Sequence, residues 1–359
     1  MTAVRADRLA AKLEGAGVDV LLVTALVNVR YLTGYTGSNG LVLVGPESRL
    51  FVTDFRYVEQ AAAEVDGSFE RVQAPQELTE ALAELLPGGA VRLGFEDTSV
   101  TVRQHDRLRE LLPDRVELVP AGGLVERLRR VKDPAELELI AAASRIADEA
   151  LEAVLAGGLA GRSERELALA LDLAMRERGA TGPSFDPIVA AGARGAMPHA
   201  RPTDAIVQRG DVVVIDWGAL AGGYCSDCTR TVAVGTIDDD ARQAYELVLA
   251  AQLAGLEAVR PGAGGKAVDT IAREVIEAAG RGDQFGHGLG HGVGLDIHEA
   301  PRLAQYSKDT LLAGEIVTVE PGVYVPGRFG IRIEDLVSVS QEGGPRVLTG
   351  LSKTLQIVD

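Results

Sequence analysis

Along the first third of the chain the apolar positions alternate between two periods. Residues 5–15 carry them at helical spacing, whereas 18–24, 41–44 and 50–53 are short β-branched and leucine-rich runs that predict strands. Helical spacing returns at 57–65. This alternation predicts a mixed α/β domain. Near residues 128–132 the composition turns basic, and Asp133-Pro134 then supplies an N-cap followed by proline at the first helical position. The domain boundary falls here, dividing the chain into 1–130 and 131–359.

Beyond the boundary the pattern predicts a helix to about residue 155, a loop over 156–162, and a second helix opened by the capping box Ser163-Glu164-Arg165-Glu166. The same arrangement recurs: a helix over 240–259, a Pro/Gly break at 261–265, and a helix from 267 to 279. Each pair is followed by one of two matching strands. The stretch GDVVVIDWG at 210–218 aligns without a gap on GEIVTVEPG at 314–322. A unit that occurs twice predicts an α+β domain with a pseudo-twofold axis, equivalent residues from both halves meeting at a shared centre.

Each matching strand ends in an acid, Asp216 in one and Glu320 in the other. A buried carboxylate without a partner costs several kcal/mol and tends to take up a proton. Two of them at matched points imply something positive between them. If Asp216 lies across a hairpin from Asp227, the turn falls on 220–223; in the second hairpin Glu320 lies across from Glu334, on a strand over 330–335. Four carboxylates then converge. Between the hairpins runs GHGLGHGVGLDIHE at 286–299, which holds His287, His291 and His298, three of the five histidines. No register of it gives G-x-G-x-x-G, and no phosphate-binding lysine follows, so it is not a nucleotide loop. Four carboxylates with one neutral imidazole balance two divalent cations, and mostly oxygen ligation suits Mn, Co or Zn. Ions bridged by carboxylates acidify a water and polarise a carbonyl, which predicts hydrolysis, most simply of an amide.

Charge and cysteine content narrow the classes. The formal charge of -16 disfavours nucleic acid and anionic membranes, and mildly attracts cationic ligands such as free amino termini. No charge-free run of about 18 apolar residues and no apolar leader is present, which argues for a cytoplasmic enzyme or binding protein. Cys225 and Cys228 form a lone C-x-x-C around Asp227 on a predicted strand, where residues three apart face opposite ways; they read as free thiols. His105, in a charged stretch of the first domain, reads as a solvated surface residue.

Taken together, Asp216, Asp227-Cys228-Thr229-Arg230, Gly290 to Leu295, Thr318-Val319-Glu320-Pro321-Gly322 and Arg332-Ile333-Glu334-Asp335 resemble the proline-peptide branch of the pita-bread metallopeptidases. That branch holds Xaa-Pro dipeptidase (prolidase) and aminopeptidase P; methionine aminopeptidase and creatinase are cousins. Tyr31 to Gly37 is similar to the creatinase-like N-terminal domain, so the likeness covers nearly the whole chain. The resemblance implies that Asp216 chelates one metal, Asp227 and Glu334 bridge, and His291 with Glu320 completes the second site. Glu320 would also shuttle the proton of the attacking water. His199 would lie near the scissile bond, His298 would steady the tetrahedral intermediate, and His287 and Arg332 would line the substrate pocket. A homodimer is implied as well. A Xaa-Pro bond has no N–H, and a metal pair that grips the carbonyl needs none. The resulting expectation is an Xaa-Pro dipeptidase, with aminopeptidase P, acting on longer peptides, as the neighbouring reading. A metal-free binding protein on the same fold is the reading from another class, disfavoured because all five ligand positions are filled.

Overall fold

A computed structural model describes residues 2–341 and 344–359, which gather into two compact units, Met1–Arg129 and Arg130–Asp359. The first is built on a six-stranded sheet. Its strands lie in the order Glu70–Ala74, Arg49–Asp54, Leu41–Val44, Val20–Val23, Val91–Phe95, Val116–Pro120. The pairings that involve Leu41–Val44 are antiparallel and the others parallel. The apolar runs of the sequence supply its interior, with Leu22, Leu43, Val52 and Leu93 almost wholly enclosed. The expected helices form at Thr2–Leu13 and Val58–Glu64. His105 sits on the helix Val102–Leu111, partly exposed, its ring 5.3 Å from that of Phe95.

The second unit carries four long helices, Pro134–Ala156, Glu164–Glu177, Asp239–Ala258 and Gly265–Ala278. Asp133 and Ser163 cap the first two through complete capping boxes, each satisfying backbone N–H groups that a helix start leaves unpaired. The repeat seen in the sequence extends to individual hydrogen bonds. Gly161 N donates to Val207 O (2.9 Å) as Gly262 N does to Leu311 O (2.8 Å). Gln208 N donates to Asp211 Oδ2 and Leu312 N to Glu315 Oε2, both at 2.8 Å. Between these partners Gly210 and Gly314 adopt left-handed φ values of 99° and 88°, which glycine reaches without steric cost.

Two sheets follow from the two halves. One orders Ile357–Val358, Cys228–Val234, Val212–Trp217 and Ile188–Ala191. The other orders Glu299–Leu303, Gly290–Gly292, Ile316–Val319, Asp335–Ser338 and Arg346–Val347. Trp217 anchors the first against the helix Pro134–Ala156, its Nε1 donating to Ala147 O at 2.8 Å.

Two details differ from the sequence reading. Asp216 faces Thr229, not Asp227, because the hairpin closes with a two-residue turn at Gly222-Gly223, both at positive φ, instead of a four-residue loop. Type I′ turns of this kind suit the twist of a hairpin better. The shorter turn shifts the register, so that Asp227 becomes a diagonal neighbour of Asp216 on the same face. In the second hairpin the pairings Val319↔Asp335 and Gly322↔Arg332 keep one register, which sets Glu320 opposite Glu334. The predicted strand over 330–335 is nevertheless interrupted: it ends at Arg332 and resumes at Asp335, leaving Ile333 and Glu334 between two ladders. Glu334 N instead donates to Thr229 O of the other half (3.1 Å).

Candidate metal centre

Strand alternation brings the acids together. Asp216 is the penultimate residue of one strand, Asp227 precedes its partner, and Glu320 and Glu334 occupy the break in the second hairpin. One carboxylate oxygen from each of Asp216, Asp227 and Glu334 lies within 4.8 Å of the others. His291, on the strand Gly290–Gly292, presents Nε2 at 3.5 Å from Asp227 Oδ2 and 3.4 Å from Glu320 Oε1. Its Nδ1 meets Gly292 O at 3.0 Å, which fixes the proton there and leaves the Nε2 lone pair facing the acids. The five predicted ligand positions thus converge.

This cluster is electrostatically costly on its own. Burial, followed by the charges of Glu334 and Asp216, holds the Asp227 carboxyl well above the usual carboxylate range. Burial and neighbouring carboxylates do the same to Glu334, and burial raises Glu320 to about 7. Burial also lowers His291 to about 3 and His287 to about 4, so both are neutral bases at pH 7. Asp216 Oδ1 and Glu334 Oε1 are buried with no hydrogen-bond partner. Crowded acids, a neutral imidazole aimed at them and two orphaned oxygens are the donor set that divalent cations require.

A polar shell orients these groups. Thr229 Oγ1 donates to Glu334 Oε2 (2.6 Å), and Thr318 Oγ1 donates to Glu320 Oε1 (3.1 Å). Arg332, buried, spans Asp216 Oδ2 (2.6 Å), Thr229 Oγ1 (3.1 Å), Tyr324 Oη (2.9 Å) and Pro198 O (3.2 Å). Tyr324 Oη in turn meets His287 Nε2 at 2.8 Å. From the helix Gly265–Ala278, Asp269 accepts from Leu289 N (2.9 Å) and Arg273 donates to His287 O (2.7 Å), bracing the histidine-bearing segment.

The cluster forms the floor of a cavity of about 550 Å³ whose walls include Phe185, His199, His298, Arg302 and Tyr306. The His298 ring packs edge-on to His291, centroids 4.4 Å apart. All nine predicted site residues therefore border one space. Sequence reasoning missed Thr229, Thr318, Tyr324 and Arg302. The threonines were findable, since each stands two residues from an acid on the same strand face, Asp227 and Glu320; nothing local marks Arg302. The two cysteines are buried and unbridged, as read.

Residues 138–341 match metallopeptidase family M24, more than half of the chain. The chain belongs to that family. Residues 5–131 match the creatinase/prolidase N-terminal domain, so this M24 protein joins that domain to an α+β catalytic domain. Among M24 relatives, an Xaa-Pro dipeptidase of Pyrococcus furiosus is 37% identical, covering 96% of this chain and 97% of its own. A solved Xaa-Pro dipeptidase from Bacillus anthracis is 40% identical with a TM-score of 0.96, each chain covered in full. An X-Pro aminopeptidase structure from Thermotoga maritima is 35% identical with a TM-score of 0.90, covering 99% of this chain and 100% of its own. As an M24 metallopeptidase the chain is an enzyme that uses divalent metal ions. Among the described residues no helix is long and apolar enough to cross a membrane.

Proposed function

We propose that the chain is an Xaa-Pro dipeptidase that holds two divalent ions, Mn, Co or Zn, through Asp216, Asp227, His291, Glu320 and Glu334. When bound, the ions supply Lewis acidity toward the scissile carbonyl and an acidified water. The protein's own groups do the rest. Glu320 borders the cavity beside His291 and would take and return the proton of the attacking water, the general acid–base role of a carboxylate within hydrogen-bond reach. His298 and His199 border the same cavity and would donate to the oxygen that becomes negative as water adds. Burial lowers His298, which keeps it a neutral donor. Arg332 neutralises Asp216 and ties it to the wall formed by Pro198.

Dipeptide selectivity rests on one observation. Arg302 lines the cavity, and its guanidinium makes no ion pair or hydrogen bond among the described residues. A dipeptide carries its free C-terminal carboxylate one residue beyond the scissile bond, where such a cation can meet it; a longer peptide has no charge there. The aminopeptidase reading draws support from the Thermotoga maritima structure. A direct comparison decides: kcat/KM on a Xaa-Pro dipeptide and on the Xaa-Pro-Yaa tripeptide, after chelation and return of each metal. The dipeptide should win by about tenfold or more, the yield of a single charge-assisted contact. Efficient tripeptide cleavage without dipeptide turnover excludes the proposal. The family likeness also supports a cytoplasmic homodimer, checked by sedimentation.

A further inference from the structure

Among the predicted site residues, His199 alone has a ring with no hydrogen bond, ion pair or ring contact to any described residue. Its imidazole borders the cavity, yet makes no hydrogen bond or ion pair with any described residue. Its position is therefore set by the backbone of its own segment. That segment runs from the end of the strand Ile188–Ala191 to Thr203, whose O also accepts from Arg165 N (3.0 Å), and one side chain reaches both of its ends.

Glu164, the first residue of the helix Glu164–Glu177, is 0% exposed. An acid at a helix start is ordinarily explained by the helix dipole. Here both oxygens are instead committed elsewhere. Oε1 accepts from Ala191 N (3.0 Å), and Oε2 accepts from Thr203 N (3.0 Å) and Thr203 Oγ1 (2.8 Å). Arg194 Nε reaches both oxygens at 2.9 Å while its Nη2 donates to Arg201 O (2.8 Å). One carboxylate thus joins the two ends of the segment to each other and to an arginine within it. On the cavity side the same segment is held at Pro198 O by Arg332, and Gly195 abuts Gly330 so closely that a Cβ on Gly330 would lie 1.9 Å from Gly195 O.

We infer that Glu164 is a positioning residue for His199: by clamping both ends of the 191–203 segment it sets where the imidazole meets the reacting carbonyl. This rests on the dipeptidase reading above. Glu164→Gln preserves shape but turns one acceptor into a donor, so at least one of the Ala191 and Thr203 amides loses its partner.

The test is a double-mutant cycle on kcat in the metal-loaded full chain with a Xaa-Pro dipeptide, alongside metal content and thermal midpoint. Glu164→Gln should lower kcat by about ten- to a hundredfold, the cost of a misplacement of about 1 Å, with KM and metal content little changed. In the His199→Ala background the same change should cost about twofold or less, since coupled residues are not additive. An equal loss in both backgrounds, or a loss that follows metal content, overturns the inference. If Glu164→Gln does not fold, Thr203→Val and Arg194→Lys enter the same cycle with the same expected coupling. A wild-type chain that cannot cleave Xaa-Pro dipeptides overturns the functional reading and this inference with it. An active wild type with additive losses overturns the inference alone.

Discussion

Glu320 concentrates the tension at the scale of single residues. Burial raises its carboxyl from an ordinary 4.5 to about 7, and burial with neighbouring carboxylates holds Asp227 and Glu334 well above their ordinary values too. A raised folded-state pKa contributes stability that is complete below the unfolded value and disappears as pH climbs through the folded one. The metal-free protein should therefore lose thermal stability between about pH 5 and pH 8, a loss that saturating manganese removes; calorimetry across that range with and without metal reads it. A flat metal-free profile contradicts the crowding described above. Glu334→Gln separates the acid's two tasks. Its Oε2 contact to Thr229 survives in the amide, and burial with neighbouring carboxylates already disfavours the charged form of the acid when metal-free. The variant's metal-free midpoint should match the parent within about 1 kcal/mol, while the metal-induced rise, about 2.7 kcal/mol for a ligand at a hundred times its Kd, vanishes.

Among elements, the strands that bear ligands are packed against one another too tightly for ordinary side chains. A Cβ on Gly290 would lie 2.0 Å from Thr318 O, on the neighbouring strand Ile316–Val319. Gly290→Ala should cost about 3 kcal/mol and, by displacing His291, reduce bound metal, both readable from a denaturant titration and metal analysis. Legibility in the sequence ran along the same lines. Caps at Asp133 and Ser163, and the doubled strand motif, are local signals and gave the helix starts and the repeat. Hairpin register was less accessible, because it turns on whether Gly222 and Gly223 both take positive φ, and periodicity does not encode that. The interruption at Ile333-Glu334 was hidden for a related reason. The alternation of the residues continues through it, and only a cross-half bond, Glu334 N to Thr229 O, shows that the ladder has changed partners. Arg302 stayed invisible because its meaning lies in what it does not pair with.

Across the whole molecule, every candidate ligand belongs to the unit Arg130–Asp359, and the unit Met1–Arg129 has its own sheet and interior. Addition of metal should slow amide hydrogen exchange in peptides covering 212–234, 286–299 and 316–338 and leave those from 2–129 unchanged. Protection appearing in 2–129 would contradict a site built from one unit alone. The matched turns at 208–211 and 312–315 have a consequence for the centre too. Asp216 and Asp227 come from one copy of the repeat, and His291, Glu320 and Glu334 from the other. Neither copy owns the full donor set, so whatever prises the halves apart dismantles the centre before it unfolds either one.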